Sequence, residues 1–491
     1  MKLTPLMAAV ALLGCGSSDP VLHAALPPAV TFADYGAQAV DALRQDLWAS
    51  GGKWFNCEGG CGRSNQDWGN DSLTFTLYLR WLTTRDERLV PMFQQLADSA
   101  TAYSSATCNG LICPDWSDMP AWDAVANMRE HEVAGSAHAL RLAIAAYRHV
   151  HDVDAFTGGA CPAIRYQRVF GSGGGLKTLE TDANMIKAAL LLWQKTGEGH
   201  YLDDAQATYA SVRANFLDPA TPLYTVYVFD DGHACTQVPR RFFASVNGTM
   251  IWNGVALASA TANGQYLEQA LATAHAVDTQ LSDGRGILAD LQAENDVVEP
   301  LVEAFLQLAT EQQEDFARQW LLRNAQAAIR NARVPQGLYG RFFNGPAPDA
   351  PITDWQTNGG LALAVAAAAL EPTHAVAPGN DWGHAQDVTL DIQVLPWLLT
   401  FRGSGIALVG TLGEQCCEAG HVALTLDGAP MVDGTGIWQN KSSAGRPFPD
   451  AVLFAWQWTG TGNHRIEFKA PAWNAKEGGA FVHVQKYRVI P

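Results

Sequence analysis

Six short stretches of this chain gather carboxylates, amides, hydroxyls and indoles: Trp68, Asn70 and Asp71; Asp115, Trp116, Asp118 and Trp122; Thr181, Asp182 and Asn184; Ser245 and Asn247; Asp296 and Glu299; and Asp354, Trp355, Gln356 and Asn358. These are the groups that sugar chemistry uses. Cleaving a glycosidic bond takes one carboxylic acid to protonate the leaving oxygen and one carboxylate to attack or to activate water, while indole faces stack on sugar rings. Each residue alone has a structural use, since Asp, Asn, Ser and Thr are preferred helix N-caps and acids suit a first helical turn. Caps do not require tryptophan, so indoles beside carboxylates are the informative part.

Each stretch opens a segment with a helical apolar period. One set of segments begins near 70, 120, 183, 248, 296 and 357; a second covers about 34 to 48, 88 to 104, 137 to 151, 200 to 215, 264 to 281 and 313 to 331. The first set is the more apolar, with Gly359 to Leu370 nearly free of polar side chains, whereas the second carries charge such as Glu314, Asp315, Arg318 and Arg323. A helix buried on all sides and a helix facing water differ in this way. Met185-Ile186 before Tyr201-Leu202 recurs as Met250-Ile251 before Tyr266-Leu267, a displacement of 65 residues, so a helical hairpin repeats. Because each hairpin buries its face only on its neighbours, the pattern predicts a mainly α fold, an (α/α)6 toroid of six hairpins over residues 33–371, with an open solenoid as the alternative. In the closed ring the inner helices run parallel, and the six stretches share one mouth.

The chain has 491 residues, 48% of them hydrophobic and 16% charged, enough to bury a large core. Acidic residues outnumber basic ones by 49 to 32, and a net charge of -17 repels a phosphate backbone, which excludes nucleic acid as a partner. Lys2, the apolar run Leu6 to Leu13 and Gly14-Cys15 resemble a bacterial lipoprotein signal over residues 1–15. Lipidated Cys15 would anchor an exported chain to a membrane at the cell envelope or surface, with 16–32 as a tether; an ordinary secretory signal is the alternative. The remaining eight cysteines suit disulfides better than zinc. Cys57 with Cys61, Cys108 with Cys113, and Cys161 with Cys235 are open to the chain, but spacing does not fix the connectivity. No cofactor or metal site is expected.

The stretch Trp116-Ser117-Asp118-Met119-Pro120-Ala121-Trp122, followed by Met128-Arg129-Glu130-His131-Glu132-Val133, resembles the second hairpin of glycoside hydrolase family 76, the endo-α-1,6-mannanases. Thr181-Asp182-Ala183-Asn184, Ser245-Val246-Asn247-Gly248 and the glycines from Gly171 to Gly175 follow in the same order. The resemblance implies a six-hairpin glycosidase acting on a polysaccharide such as α-1,6-linked mannan. It also implies two adjacent aspartates, a nucleophile and then an acid/base. Here the pair reads Ser117-Asp118, so Asp118 takes the acid/base place and a serine stands where the nucleophile is expected. Asp115, Asp123 or Asp182 could substitute, another route could operate, or the ring could bind glycan without cutting it. Trp68, Asn70, Asp71, Trp116, Trp122, Asn184, Asn247, Trp355 and Gln356 are the candidate substrate contacts. Asp230-Asp231-Gly232 reads as a turn after a short strand instead of a catalytic pair.

Helical periodicity stops at Glu371-Pro372, and a linker over 372–386 leads to period-two segments over 387–491, with Asp427-Gly428 as a hairpin turn. These segments predict a C-terminal all-β jelly-roll sandwich that resembles galactose-binding-like modules of secreted glycosidases. Trp438, Trp456, Trp458 and Trp473 are its candidate glycan platforms.

Overall fold

The computed structural model describes residues 29–65, 68–100, 117–153, 160–161, 175–238, 242–289, 297–392, 396–412, 423–431, 447–469 and 483–491. Cys15 and the rest of the leader, Cys108, Cys113, Asp115, Trp116, Arg240, Arg241, Asp296, Cys416, Cys417, Trp438 and Trp473 lie outside these residues.

Among the described residues twelve α-helices alternate between two roles. The outer ones are α1 (Phe32–Ala42), α3 (Val90–Ser99), α5 (Ala137–Arg148), α7 (Gly199–Phe216), α9 (Gly264–Gln280) and α11 (Asp315–Ala327). The inner ones are α2 (Trp68–Thr84), α4 (Asp118–Ala134), α6 (Leu179–Thr196), α8 (Ala244–Thr261), α10 (Glu299–Glu311) and α12 (Asp354–Leu370). Inner helices pack in the circular order α2, α4, α6, α8, α10, α12 and back to α2, so the ring is closed. The expected toroid is therefore present. Helix α1 seats on α12 and joins the two ends of the array.

Small residues let the inner helices approach. A Cβ on Gly248 of α8 would stand 2.4 Å from the backbone of Leu301 in α10, and one on Gly360 of α12 would stand 2.3 Å from the Cβ of Tyr339 in the non-helical segment that precedes α12; neither position accommodates a side chain without moving its neighbour. The repeated hairpin also ends its inner helices alike. Helix α6 stops at Gly197 (φ 74°) and α8 at Ala262 (φ 54°), both left-handed. Alanine is strained there and glycine is not. Ala262→Gly should therefore raise stability by about 1 kcal/mol in a denaturant titration.

Between the inner and outer helices lie three small antiparallel arrangements: β1 (Trp48–Ala49) with β2 (Lys53–Cys57) and β3 (Cys61–Asn65); β4 (Leu176–Thr178) with β7 (Tyr227–Asp230) and β8 (Cys235–Gln237); and β5 (Leu217–Asp218) with β6 (Leu223–Tyr224). Cys57 is disulfide-bonded and stands opposite Cys61 in register. Cys161 is bonded to Cys235 across 74 residues.

The C-terminal unit is antiparallel: β9 (Gln386–Ile392), β10 (Trp397–Leu412), β11 (Ala423–Leu426), β12 (Ala429–Pro430), β13 (Phe448–Lys469) and β14 (His483–Ile490), ordered β12-β11-β13-β10-β14-β9. The two longest strands are β10 and β13. Their mutual register breaks between Gly403 and Gly405, and beyond the break β10 pairs with β14 as well as β13. Leu399, Leu424, Ile466 and Phe468 from one half share a core with Ile406, Leu408, Phe454 and Val484 from the other. Asp427 and Gly428 both have positive φ, the type I′ geometry that a tight hairpin favours. The unit is bound to the ring: the Asn344 carbonyl accepts from Trp382 Nε1 (2.9 Å) and Gln457 Nε2 (2.6 Å), and the Gly284 amide donates to the Gln457 carbonyl (3.1 Å).

Candidate active site

Helical register decides which side chains reach the axis of the ring. Deep inside, Arg129 Nη2 of α4 donates to Glu303 Oε1 of α10 (2.7 Å), and Lys187 Nζ of α6 donates to Glu303 Oε2. Trp252 of α8 lies beside both cations, at 5.8 Å from Arg129 and 4.9 Å from Lys187, and Tyr78 of α2 lies under Arg129 at 4.1 Å. These five residues mark the inward stripe of five helices. Seven residues make nearly two turns and four make slightly more than one, so positions seven or four back face the same way. That step leads from Tyr78 to Asp71, from Lys187 to Glu180, from Trp252 to Ser245 and from Glu303 to Glu299. Eleven residues, about three turns, lead from Arg129 to Asp118.

The N-terminal turns thus aim Asp71, Asp118, Glu180, Ser245 and Glu299 at one mouth, with relative exposures between 0% and 7%. The same step taken twice from Ala369, which lines the far end of the ring, places Trp355 of α12 on the inward stripe. Positive helix ends face the same space and favour negative charge there. Ser245 Oγ donates to Glu180 Oε1 at 3.3 Å, tying α8 to α6.

The electrostatics differ sharply along this axis. Burial pushes the Glu299 carboxyl well above the usual range, and the charge of Glu303 adds to that push. Burial acts on Glu303 too, but Lys187 and Arg129 outweigh it and hold that carboxyl below its ordinary value. Glu299 thus keeps its proton to higher pH than Glu303 does. A group whose folded pKa is raised binds protons that the unfolded chain has lost, so stability falls as pH rises from about 4.5 toward the folded value. Glu299→Gln should cost no more than about 1 kcal/mol at neutral pH and should flatten that decline, read from thermal melts between pH 5 and 8.

Other sequence-derived candidates sit elsewhere. Asp123 lies about 140° around α4 from Asp118, on the side of Glu130, whose carboxyl is pushed up by burial and by the Asp123 charge. Asp182 lies about 140° from Lys187 on α6 and acts on Lys177, not on the axis. Trp122 packs against Phe75 (5.8 Å between centroids) and is 1% exposed. Asn184 donates to its own helix at the Glu180 carbonyl. Asn247 gives its amide to the backbone of Tyr224 and Phe243, and Gln356 closes a capping box with Thr353. Trp68 and Asn70 begin α2, with side chains outside the described residues.

The Asp230-Asp231 pair is structural. Asp230 accepts from the amides of Ala160, Cys161 and Gly232 and pairs with buried Lys177 at 3.2 Å. Burial opposes ionisation, but these donors hold its carboxyl far below the ordinary value. Among the described residues no three His, Cys, Asp or Glu side chains gather closely enough to hold a metal ion, and no helix is long and apolar enough to cross a membrane.

Sequence reading missed Glu180. Its signal was Lys187, a lone charge inside the apolar run of α6, which marks the stripe that Glu180 heads.

No protein-family model matches the sequence, and no curated protein matches it either. Solved structures do resemble it. An inactive variant of the α-1,6-mannanase of Salegentibacter sp. HEL1_6, with two consecutive aspartates replaced by alanine and α-1,6-mannotetrose bound, superposes with TM-score 0.60 at 18% identity, over 69% of this chain and 99% of that one. A family 76 α-mannanase of Bacteroides thetaiotaomicron gives 0.57 at 16% identity, over 69% and 95%. Dfg5 of Chaetomium thermophilum in complex with glucosamine gives 0.52 at 12%, over 71% and 92%. The chain therefore carries the six-hairpin helical fold of the glycoside hydrolase family 76 α-1,6-mannanases, followed by an antiparallel β domain.

Proposed function

We propose that this protein is a glycoside hydrolase acting on α-1,6-linked mannan or a related polysaccharide, with Asp118 as proton donor and Glu180 as the second carboxylate. The observation that carries the reading is the inward stripe: Asp118 and Glu180 head adjacent inner helices, face one mouth and lie among the first turns of the ring. Ser245 orients Glu180 through its hydroxyl, as a nucleophile or a general base requires. Glu299, whose carboxyl burial pushes well above the usual range, is less suited to attack than Glu180. Asp71 and Trp355 complete the substrate-facing rim.

The similar mannanase holds α-1,6-mannotetrose and is inactive without its two consecutive aspartates. Here Ser117 precedes Asp118 and cannot supply the first carboxylate, so Glu180 takes that work from the neighbouring helix. Reducing-sugar release from α-1,6-mannan should be lost in both Asp118→Asn and Glu180→Gln. Ser117 also favours a second reading, a glycan-binding protein that does not cut; binding of the polymer with no release by the unmodified chain would establish it. The N-terminal segment fits an exported lipoprotein anchored at Cys15. Incorporation of labelled palmitate, abolished by Cys15→Ser, tests that placement.

A further inference from the structure

The ring has a second opening. At the C-terminal ends of all six inner helices lies a cavity of about 820 Å³, inside the range of about 300–1,000 Å³ typical of small-molecule sites. A helix of 17 residues spans about 25 Å, and the buried Glu303, Lys187 and Arg129 cluster fills the axis between this cavity and the catalytic mouth. The two spaces are therefore separate sites.

Its chemistry is balanced. Arg129 and Lys195 line it with Glu132, Glu303 and Glu311, and Lys187 stands behind Glu303, so three cations meet three carboxylates. Such a wall prefers neither an anion nor a cation. His131 lines the cavity and is 91% buried, with Nδ1 at 2.9 Å from the Ser136 carbonyl. A carbonyl only accepts, so Nδ1 carries a proton and Nε2 is the ring's remaining polar atom. That Nε2 has no protein partner, and neither has Gln307 Oε1, while Gln307 Nε2 already donates to Glu311. Both of those atoms are closed off from the cavity itself, so the wall offers the Glu132 and Glu311 carboxylates as acceptors and the Arg129 guanidinium and the Lys195 ammonium as donors. Leu82, Leu306 and Trp252 supply apolar surface between them.

A ligand that both donates and accepts through many hydroxyls, carries no charge and has apolar C–H faces fits this lining. We propose that the cavity at the C-terminal ends of the inner helices is a second binding site for a short neutral oligosaccharide, distinct from the site of cleavage.

Calorimetric titration of the full-length Asp118→Asn chain with α-1,6-mannotetraose, maltotetraose and cellotetraose tests it. At least one probe should bind with a component that Ser259→Trp removes; Ser259 is an exposed rim residue, so the indole blocks the opening without disturbing the packing. Glu311→Ala should weaken the same component about tenfold by deleting one exposed acceptor of the lining. If the catalytic mouth binds nothing, a single component that responds to Ser259→Trp still supports this site and counts against the proposed function alone. Absence of binding by every probe, or binding indifferent to both substitutions, overturns the proposal.

Discussion

Asp118→Asn should lower the rate of α-1,6-mannan hydrolysis by about 10²–10⁴-fold while leaving the fold and oligosaccharide binding intact. The size follows from the role. A general acid contributes only while the leaving oxygen takes up charge, so its loss appears in kcat and spares the bound ground state. Asparagine has nearly the shape of aspartate and no proton to give. The same change at Asp123, which points about 140° away around α4, should leave kcat within a few-fold of the unmodified enzyme. Equal losses at Asp118 and Asp123 would mean that helix register does not identify the catalytic stripe.

Glu303→Gln should destabilise the ring by about 3–5 kcal/mol. Both of its oxygens are occupied, one by Arg129 and one by Lys187, and the side chains of all three are at most 6% exposed. Removing the anion takes from two buried cations the carboxylate that both of them bind. The exposed pair of Arg88 with Asp86, with 82% of the arginine side chain in water, is the contrast: Arg88→Ala should leave the thermal melt nearly unchanged. Because Glu303 ionises below its ordinary value, its contribution is fully present above about pH 4.5 and is lost as pH falls through the folded value. A thermal melt series should show acid destabilisation that Glu303→Gln no longer displays.

The ring was legible because hairpins repeat. Apolar inner segments alternate with charged outer ones, and the shared Met-Ile and Tyr-Leu pairs fix the period, so closure followed from the need of each hairpin for two neighbours. Membership of the site was less legible. Glu180 and Asp182 differ by two positions, which puts them on opposite sides of one helix, and sequence alone does not say which side meets the axis. Residue type misled in the same way at Asn247 and Gln356, whose amides satisfy backbone groups at helix ends. Trp122 fills volume against Phe75. In the β domain the alternation marked the strands, but it did not reveal the register break between Gly403 and Gly405.

The most direct measurement is a crystal structure of the Asp118→Asn variant with α-1,6-mannotetraose. The account predicts sugar at the N-terminal mouth, a glycosidic oxygen at about 3 Å from the side chain of residue 118, and Glu180 facing the same bond. Sugar confined to the opposite end of the ring, or at this mouth but out of reach of both residues, would contradict it.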